Sequence, residues 1–257
     1  MRGGGCGSVS EAPEWLEELR RQLEGAVLVA VLGAEEGGRP VVLAVRRGEA
    51  VGLVCPDDAS RRTILRKLAL LEHLRRGQVI IDGLDAVFLD GTERELIRRH
   101  HRLRHNLGKP PKFRWNATVL EVATGRAGGL LSRLFRGRHA VEGTGQREAL
   151  QEVGIGPEVL WGQLGEEDKE AVRLIGLLCG LAGIVILDDP FEGRWPSPAE
   201  RAWKAGIRWA KEAGSAVVIG LAREPPDWMA ETLDRIVKAP TGPGSLAEAK
   251  GRRGILF

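Results

Sequence analysis

The stretch "GLVCPDDASRRTILRKL" (residues 52–68) runs the end of an apolar strand into a short polar turn and then an amphipathic helix. Strand, turn and helix in that order can bind phosphate, because backbone N–H groups and a helix N-terminus converge on one anion. The usual residue pattern is G-x-x-x-x-G-K-[ST], in which glycines allow close approach and the Lys reaches the terminal phosphates. On "CPDDASRRT", Cys55 stands at the first Gly place, and Pro56, Asp57, Asp58 and Ala59 fill the interval. Ser60 stands at the second Gly, Arg61 at the Lys, and Arg62 at the Ser/Thr that would hold magnesium, with Thr63 just beyond. The context is kept; the residues are not.

Outward from this stretch, apolar β-branched runs recur at "AVLVAVLG" (26–33), "RPVVLAVRRGEAVGLVC" (39–55), "GQVIIDGLDAVFL" (77–89), "GIVILDDP" (183–190), "SAVVIGLA" (215–222) and "RIVKAP" (235–240). Helical spacing marks "PEWLEELRRQLEG" (13–25), "RTILRKLALLEHL" (62–74), "ERELIRRHHRLRH" (93–105), much of 118–178, and "SPAERAWKAGIRWAKEAG" (197–214). Strands alternating with helices predict an α/β fold whose sheet has parallel strands covered on both faces. The strand at 183–190 ends in Asp188 and Asp189. A carboxylate in that position can hold magnesium, and the next can orient an attacking water.

The 257 residues are 43% hydrophobic and 28% charged, ordinary for a globular protein. A formal charge of +3 is too small to imply nucleic acid by itself. Cys6, Cys55 and Cys179 are too scattered for a disulfide framework or a CxxC metal site. No apolar run reaches the roughly 18 residues of a membrane span, and "MRGGGCGSVSEAPEWLEEL" is not a signal peptide, so a cytoplasmic chain is expected.

Three segments together resemble the ATP-binding cassette (ABC) ATPases, the nucleotide-binding subunits of ABC transporters, over roughly 40–240. "VRRGEAVGLVCPDDASRRTILRKLALLEHLRRGQVIIDGLD" is similar to the family's strand, loop and helix. "WGQLGEEDKEAVRLIGLLCGLAGIVILDDP" is similar to the stretch from signature motif to second carboxylate motif. There Leu164, Gly165, Glu166 and Glu167 fall on Leu-Ser-Gly-Gly. "AGSAVVIGLAREPPDWMAETLDRIVKAPTG" is similar to the strands that close the core. The resemblance implies a P-loop NTPase-like (RecA-like) core with a mixed, mainly parallel sheet and an inserted helical subdomain. Residues 1–25 are then an extension with a short helix, and 26–257 a single nucleotide-binding domain. Its core is 26–112 and 180–257, and its helical subdomain about 113–179. It also implies ATP and Mg as ligands, with Asp188 at the magnesium and Asp189 as catalytic carboxylate. The implied partners are a transmembrane transporter subunit and a second ABC ATPase subunit in a hetero- or homodimer, which places the chain peripherally at the inner face of a membrane.

The sequence departs from the family at the places that handle nucleotide. There is no Tyr to stack on adenine, and Trp15 and Phe88 lie too far along the chain to replace it. No Gln occurs between Gln78 and Gln146, where the magnesium-sensing Gln belongs, and Ala222 stands at the switch His. "FEGRWPS" (191–197) lacks the Asp that usually crosses the dimer interface. In such dimers each ATP lies between one subunit's phosphate loop and the other's signature, so Glu166 and Glu167 would face a γ-phosphate. At ~4 Å and an effective dielectric near ~20, one such contact costs on the order of 4 kcal/mol. Asp189 is one methylene shorter than the usual Glu. Arg61 and Arg62 are expected to pair with Asp57 and Asp58, closing the loop on itself. The expectation is a subunit whose ATP and Mg binding is weak and whose hydrolysis is lost, serving structural and regulatory ends. One alternative is a divergent cassette that still hydrolyses ATP slowly through Arg61, Thr63, Asp188 and Asp189. Another is a non-transport protein using Arg98, Arg99, Arg102 and Arg104 as a basic face for nucleic acid, without sequence-specific reading.

His100, His101 and His105 resemble a metal cluster but show no third ligand of certain geometry, so a solvated basic helix end is expected. Phe113 and Trp115, flanked by Lys112 and Arg114, suit a docking groove for the membrane subunit or, equally, local packing. Trp203 and Trp209 read as core, whereas Trp195 suits the dimer interface.

Overall fold

The computed structural model describes residues 23–32, 41–73, 77–108, 111–126, 143–180, 182–190 and 197–239. Nearly all of the helix expected over 13–25, and Trp195 with its loop, lie outside these residues. Strand β3 (Ala50–Val54) is buried along its whole length and pairs in parallel with β8 (Ala216–Leu221) on one side and β9 (Arg235–Lys238) on the other. Beyond β8 come β7 (Ile184–Asp188) and the two-residue β6 (Arg104–His105), giving the order β6-β7-β8-β3-β9, all parallel. A second, antiparallel sheet runs β2 (Val41–Arg46), β1 (Ala26–Leu32), β4 (Gln78–Ile81), β5 (Leu84–Asp85).

Period-two alternation divides the parallel strands between two cores. Ala50, Val54, Val185, Leu187, Val217 and Ile219 face helices α3 (Val119–Ala123), α4 (Thr144–Glu152), α5 (Glu166–Leu178), α6 (Ser197–Glu212) and α7 (Asp227–Ala230). Val51, Leu53, Ile184, Ile186 and Val218 face the other way, onto Leu65 and Leu68 of α1 (Asp58–Leu68) and the antiparallel sheet's Leu28, Leu43 and Ile81. Each such fully buried aliphatic side chain contributes about 1.5–3 kcal/mol. Helix α5 comes so close to α3 that a Cβ on Gly176 would sit 2.9 Å from the Ala123 carbonyl oxygen. Trp203, fully buried, donates its indole N–H to Thr232 Oγ1 at 2.7 Å.

The stretch 93–105 differs from the helix expected. Helix α2 (Gly91–His100), closed at its start by an Asp90–Glu93 capping box, stops at His101 because Arg102 turns left-handed (φ 47°) and feeds β6 onto the edge of β7. Of the three histidines, His100 is exposed at the helix end as expected, but the other two are not. His101 keeps 9% of its side chain exposed, and the Nδ1 of His105 is buried. Two of the four arginines turn inward: Arg98 donates to the Leu70 carbonyl and Arg104 to that of Gly176, each capping a chain reversal or helix end from within. Among the described residues there is no cluster of His, Cys, Asp or Glu fit to hold a metal, and no helix long and apolar enough to cross a membrane.

Candidate functional site

The carboxyl ends of β3, β8 and β7 form one edge of the parallel sheet, and the polar residues singled out in the sequence collect there. After β3, the Cys55 N–H donates to the Leu221 carbonyl at 2.9 Å and its thiol donates to the Asp57 carbonyl at 3.5 Å, pinning the turn to the sheet. Pro56 follows, exposed, and Asp57 is the N-cap of α1. Its carboxylate accepts the Ser60 N–H at 2.8 Å. Hydrogen bonds from Ser60 hold that carboxyl below the usual Asp range. The first N–H groups of a helix are the donors that cradle phosphate in such a turn; here one already has an anion from its own chain.

Arg61, four residues on, is buried to 2% exposure. Its stem crosses β8 at Gly220, where a Cβ would lie 2.5 Å from Leu65 Cδ1 and 3.1 Å from Arg61 Cγ, so glycine makes room for both side chains of α1. The guanidinium then donates from Nε to Asp188 Oδ1 and from Nη1 to Asp58 Oδ1, each at 2.6 Å. Burial alone would lower the Arg61 pKa, but the hydrogen bonds to Asp188 and Asp58 outweigh it and the net shift is upward. Arg62, 65% exposed, donates to the second oxygen of Asp188 at 3.3 Å. Asn106 fixes the Asp188 backbone from both sides, accepting its N–H at 2.6 Å and donating to its carbonyl at 3.0 Å. The pairing expected within the loop is therefore half right. Arg61 does take Asp58, but Asp57 caps the helix, and both arginines reach across the sheet to Asp188.

Asp189 follows with φ 30° and donates its N–H to the Gly220 carbonyl at 2.8 Å. A carboxylate in that left-handed region is a local irregularity of the kind that marks the edges of sites. Ala59, Ser60 and Thr63 lie on α1, and Ala222 follows β8.

The signature position lies on a different part of the surface. Leu164 closes a short 3-10 turn (Trp161–Gln163), Gly165 is the N-cap of α5, and Glu166, Glu167 and Asp168 make up its acidic first turn. Glu166 pairs with Lys169 at 2.6 Å. Behind this turn Trp161 packs edge-to-face on Phe113, 5.2 Å between ring centroids, with Lys169 and Arg173 over its ring at 5.9 and 5.3 Å. Trp161 N–H donates to the Ala117 carbonyl, and Gly162 N–H to that of Trp115, both at 2.8 Å. The segment 113–117 is thereby stitched to the start of α5. Trp115 itself is 74% exposed, whereas Phe113 is packed against the core.

Comparisons with known proteins agree with this fold. The Lipoprotein-releasing system ATP-binding protein LolD of Paramagnetospirillum magneticum is 30% identical over 205 residues, covering 78% of this chain and 85% of the relative. The chain belongs to the ATP-binding cassette family of transporter subunits. LolD of Novosphingobium aromaticivorans is 28% identical to the cassette over 236 residues, 88% of this chain and 96% of the relative. Two solved structures share its fold. One is the ADP conformation of an ABC transporter's cassette, at TM-score 0.61 and 14% identity over 83% of this chain and 87% of the other. The second is an ABC transporter ATP-binding protein from Pyrococcus furiosus, at TM-score 0.59 and 16% identity over 82% and 96%. No family model matches. The fold expected of the cassette, a P-loop NTPase-like α/β core, holds.

Three contributors to the site escaped the sequence reading: Asn106, Gly220 and Trp161. Gly220 sits inside "VVIGLA", and a glycine within a buried strand signals close approach by another group. Asn106 and Trp161 act across 82 residues in one case and through a ring stack in the other, and carry no local signal. As a donor set, the edge does not fit magnesium: both oxygens of Asp188 accept from guanidinium groups.

Proposed function

We propose that the cassette is a non-hydrolysing subunit of an ABC transporter, acting by shape within a pair of cassettes beneath a membrane subunit. The observation that carries this reading is the Arg61 guanidinium seated on Asp188, at the carboxylate that the resemblance assigns to magnesium. Asp57 supports it from the other end, by placing a carboxylate on the helix N-terminus where a phosphate would land. One cation and one anion of the chain itself thus stand in for the two halves of a magnesium–nucleotide complex. Displacing them would expose a buried arginine and leave Asp188 facing a triphosphate. Asp189, the candidate catalytic carboxylate, has no metal-held phosphate to act on in this arrangement, and no hydrolytic step follows from it.

The relatives are named for a lipoprotein-releasing system, and a transporter of that class is the assembly in which we place the cassette, at the cytoplasmic face of the membrane. For contact with the membrane subunit, the docking role narrows from Phe113 and Trp115 to Trp115 with the exposed Lys112 and Arg114, since Phe113 is committed to Trp161.

Isothermal titration of the purified chain with Mg-ATP, alongside a phosphate-release assay, tests the reading. No saturable heat and no release above a protein-free control are expected. Micromolar binding with turnover that Asp188→Asn abolishes would refute it.

A further inference from the structure

A polar cavity lies at the opposite end of β7 from Asp188, where that strand begins. It holds about 300 Å³, is open on one side, and has Val27, Ala182, Ile184 and Ala213 as its apolar lining. The turn after β2 brings Arg47 to it, the turn after β4 brings Asp82, and the end of α2 brings His100, His101 and Arg102. The backbone fixes these pieces. The Arg102 and Leu103 N–H groups donate to the carbonyls of Arg99 and Arg98, at 3.2 and 2.8 Å, so those carbonyls are spent on closing the helix. Arg102 takes the left-handed place of this closure (φ 47°), where glycine is the usual residue, and so sets a guanidinium at the cavity. Gly183 lets β7 begin hard against the same turn: a Cβ there would sit 2.4 Å from the His101 carbonyl oxygen.

Among the charged groups that line the cavity, Arg47 and Arg102 stand against Asp82, and both histidines can add positive charge. Acids on the flanking elements face other cations: Glu49 lies 2.7 Å from Arg235, Glu95 2.7 Å from Arg99, and Glu212 3.9 Å from Arg208. Arg47 pairs with Asp82 at 3.1 Å, and His101 Nδ1 lies 3.6 Å from the same carboxylate oxygen. The other ring nitrogen, Nε2, is buried with no hydrogen-bond partner among the described residues, on a side chain 9% exposed. A buried polar atom in that state costs stability until something supplies its partner. Only the imidazolium suits both ends of the ring, with Nδ1–H toward Asp82 and Nε2–H toward an acceptor. Burial disfavours that charge, Asp82 favours it, and His100 and Arg47 disfavour it, so the pKa is lowered from 6.5. An anion in the cavity shifts the balance back.

We infer that this cavity binds a small phosphate-type oxyanion, held by Arg102 and His101, with Arg47 anchored beside them by Asp82. The site is separate from the loop edge and from the reading proposed for it. Its volume leaves room for the organic part of a small phosphate ester. Such a ligand ties the end of α2, two turns of the antiparallel sheet and the start of β7 to one point.

Isothermal titration of the full chain with inorganic phosphate is the test, and Arg102→Gly is the decisive variant. Glycine suits the left-handed turn, so this change removes the guanidinium and leaves the end of α2 in place. Saturable binding is expected, weakened about tenfold by Arg102→Gly and unchanged by Arg62→Met at the loop edge. Glycerol phosphate identifies the source of the group: tighter binding than inorganic phosphate marks an ester as the ligand, and weaker binding marks free phosphate. Sulfate, which stays doubly charged throughout, is expected to bind more tightly at about pH 6 than at about pH 8, and His101→Gln is expected to shrink that difference. The inference is overturned by the absence of saturable binding, by wild-type affinity in Arg102→Gly, or by sulfate affinity that is equal at the two pH values. Loss of binding in Arg62→Met would also overturn it, by placing the anion at the loop edge, and would count separately against the non-hydrolysing reading.

Discussion

Arg61 is the residue on which the candidate site turns, because a buried charge is tolerable only while its partners stay in place. Arg61→Met keeps the apolar stem over Gly220 but strips Asp188 and Asp58 of their guanidinium. Breaking a buried pair from one side costs about 3 kcal/mol or somewhat more. The urea midpoint of this variant should drop accordingly, with the slope unchanged. Arg62→Met, on an exposed partner of the same Asp188, should cost less than about 1 kcal/mol. Equal midpoints for the two variants would mean that the bridge is not what holds the edge together. His105 provides a second residue-level expectation. Burial lowers its pKa from 6.5, and the nearby Arg98 and Arg66 lower it further. The unfolded chain therefore binds a proton that the folded chain refuses, so stability is complete above 6.5 and falls as pH drops below it. His101 adds to the same slope, its burial only partly opposed by Asp82. Urea midpoints measured from neutral pH downward should fall through this window, and His105→Gln should flatten part of the decline.

Elements whose signal is local were legible in the sequence, and those set by distant partners were not. β3, β7 and β8 announce themselves as unbroken apolar runs because both of their faces are covered; the spacing at 62–74 revealed a helix but not its bounds, since α1 starts earlier, at the Asp57 cap, and stops at Leu68, where Leu70 turns left-handed (φ 54°). β6 has two residues and no pattern; it exists because β7 offers it a hydrogen-bonding edge. The site divides in the same way. The turn at 55–63 and the pair of Asp residues were visible from order and spacing, but the bond between them spans 127 residues and depends on a glycine in a third strand. Alternation does not predict which of two neighbouring aromatics faces water, so Phe113 and Trp115 looked alike until Trp161 claimed one of them. That claim makes a strut between the 113–117 segment and α5. Trp161→Ala should cost about 3 kcal/mol or more. Hydrogen exchange should then show amides of 113–117 and of the first turn of α5 losing protection together. Protection lost in only one of the two segments would mean that they move independently.

At the scale of the molecule, the parallel sheet acts as a beam with its chemistry gathered at one end. The two clusters that cover it, helices on one side and α1 with the antiparallel sheet on the other, leave that end free for a neighbour. The exposed indole of Trp115 has a practical consequence of another kind. With seven Trp and no Tyr in the sequence, ultraviolet emission from the chain is tryptophan light alone. Trp161 and Trp203 are already sheltered, so a membrane subunit settling over the 112–115 surface should move the spectrum toward the blue chiefly through a single ring. The protein thus carries its own optical gauge of docking, needing no dye, and Trp115→Phe is the blank against which to read it.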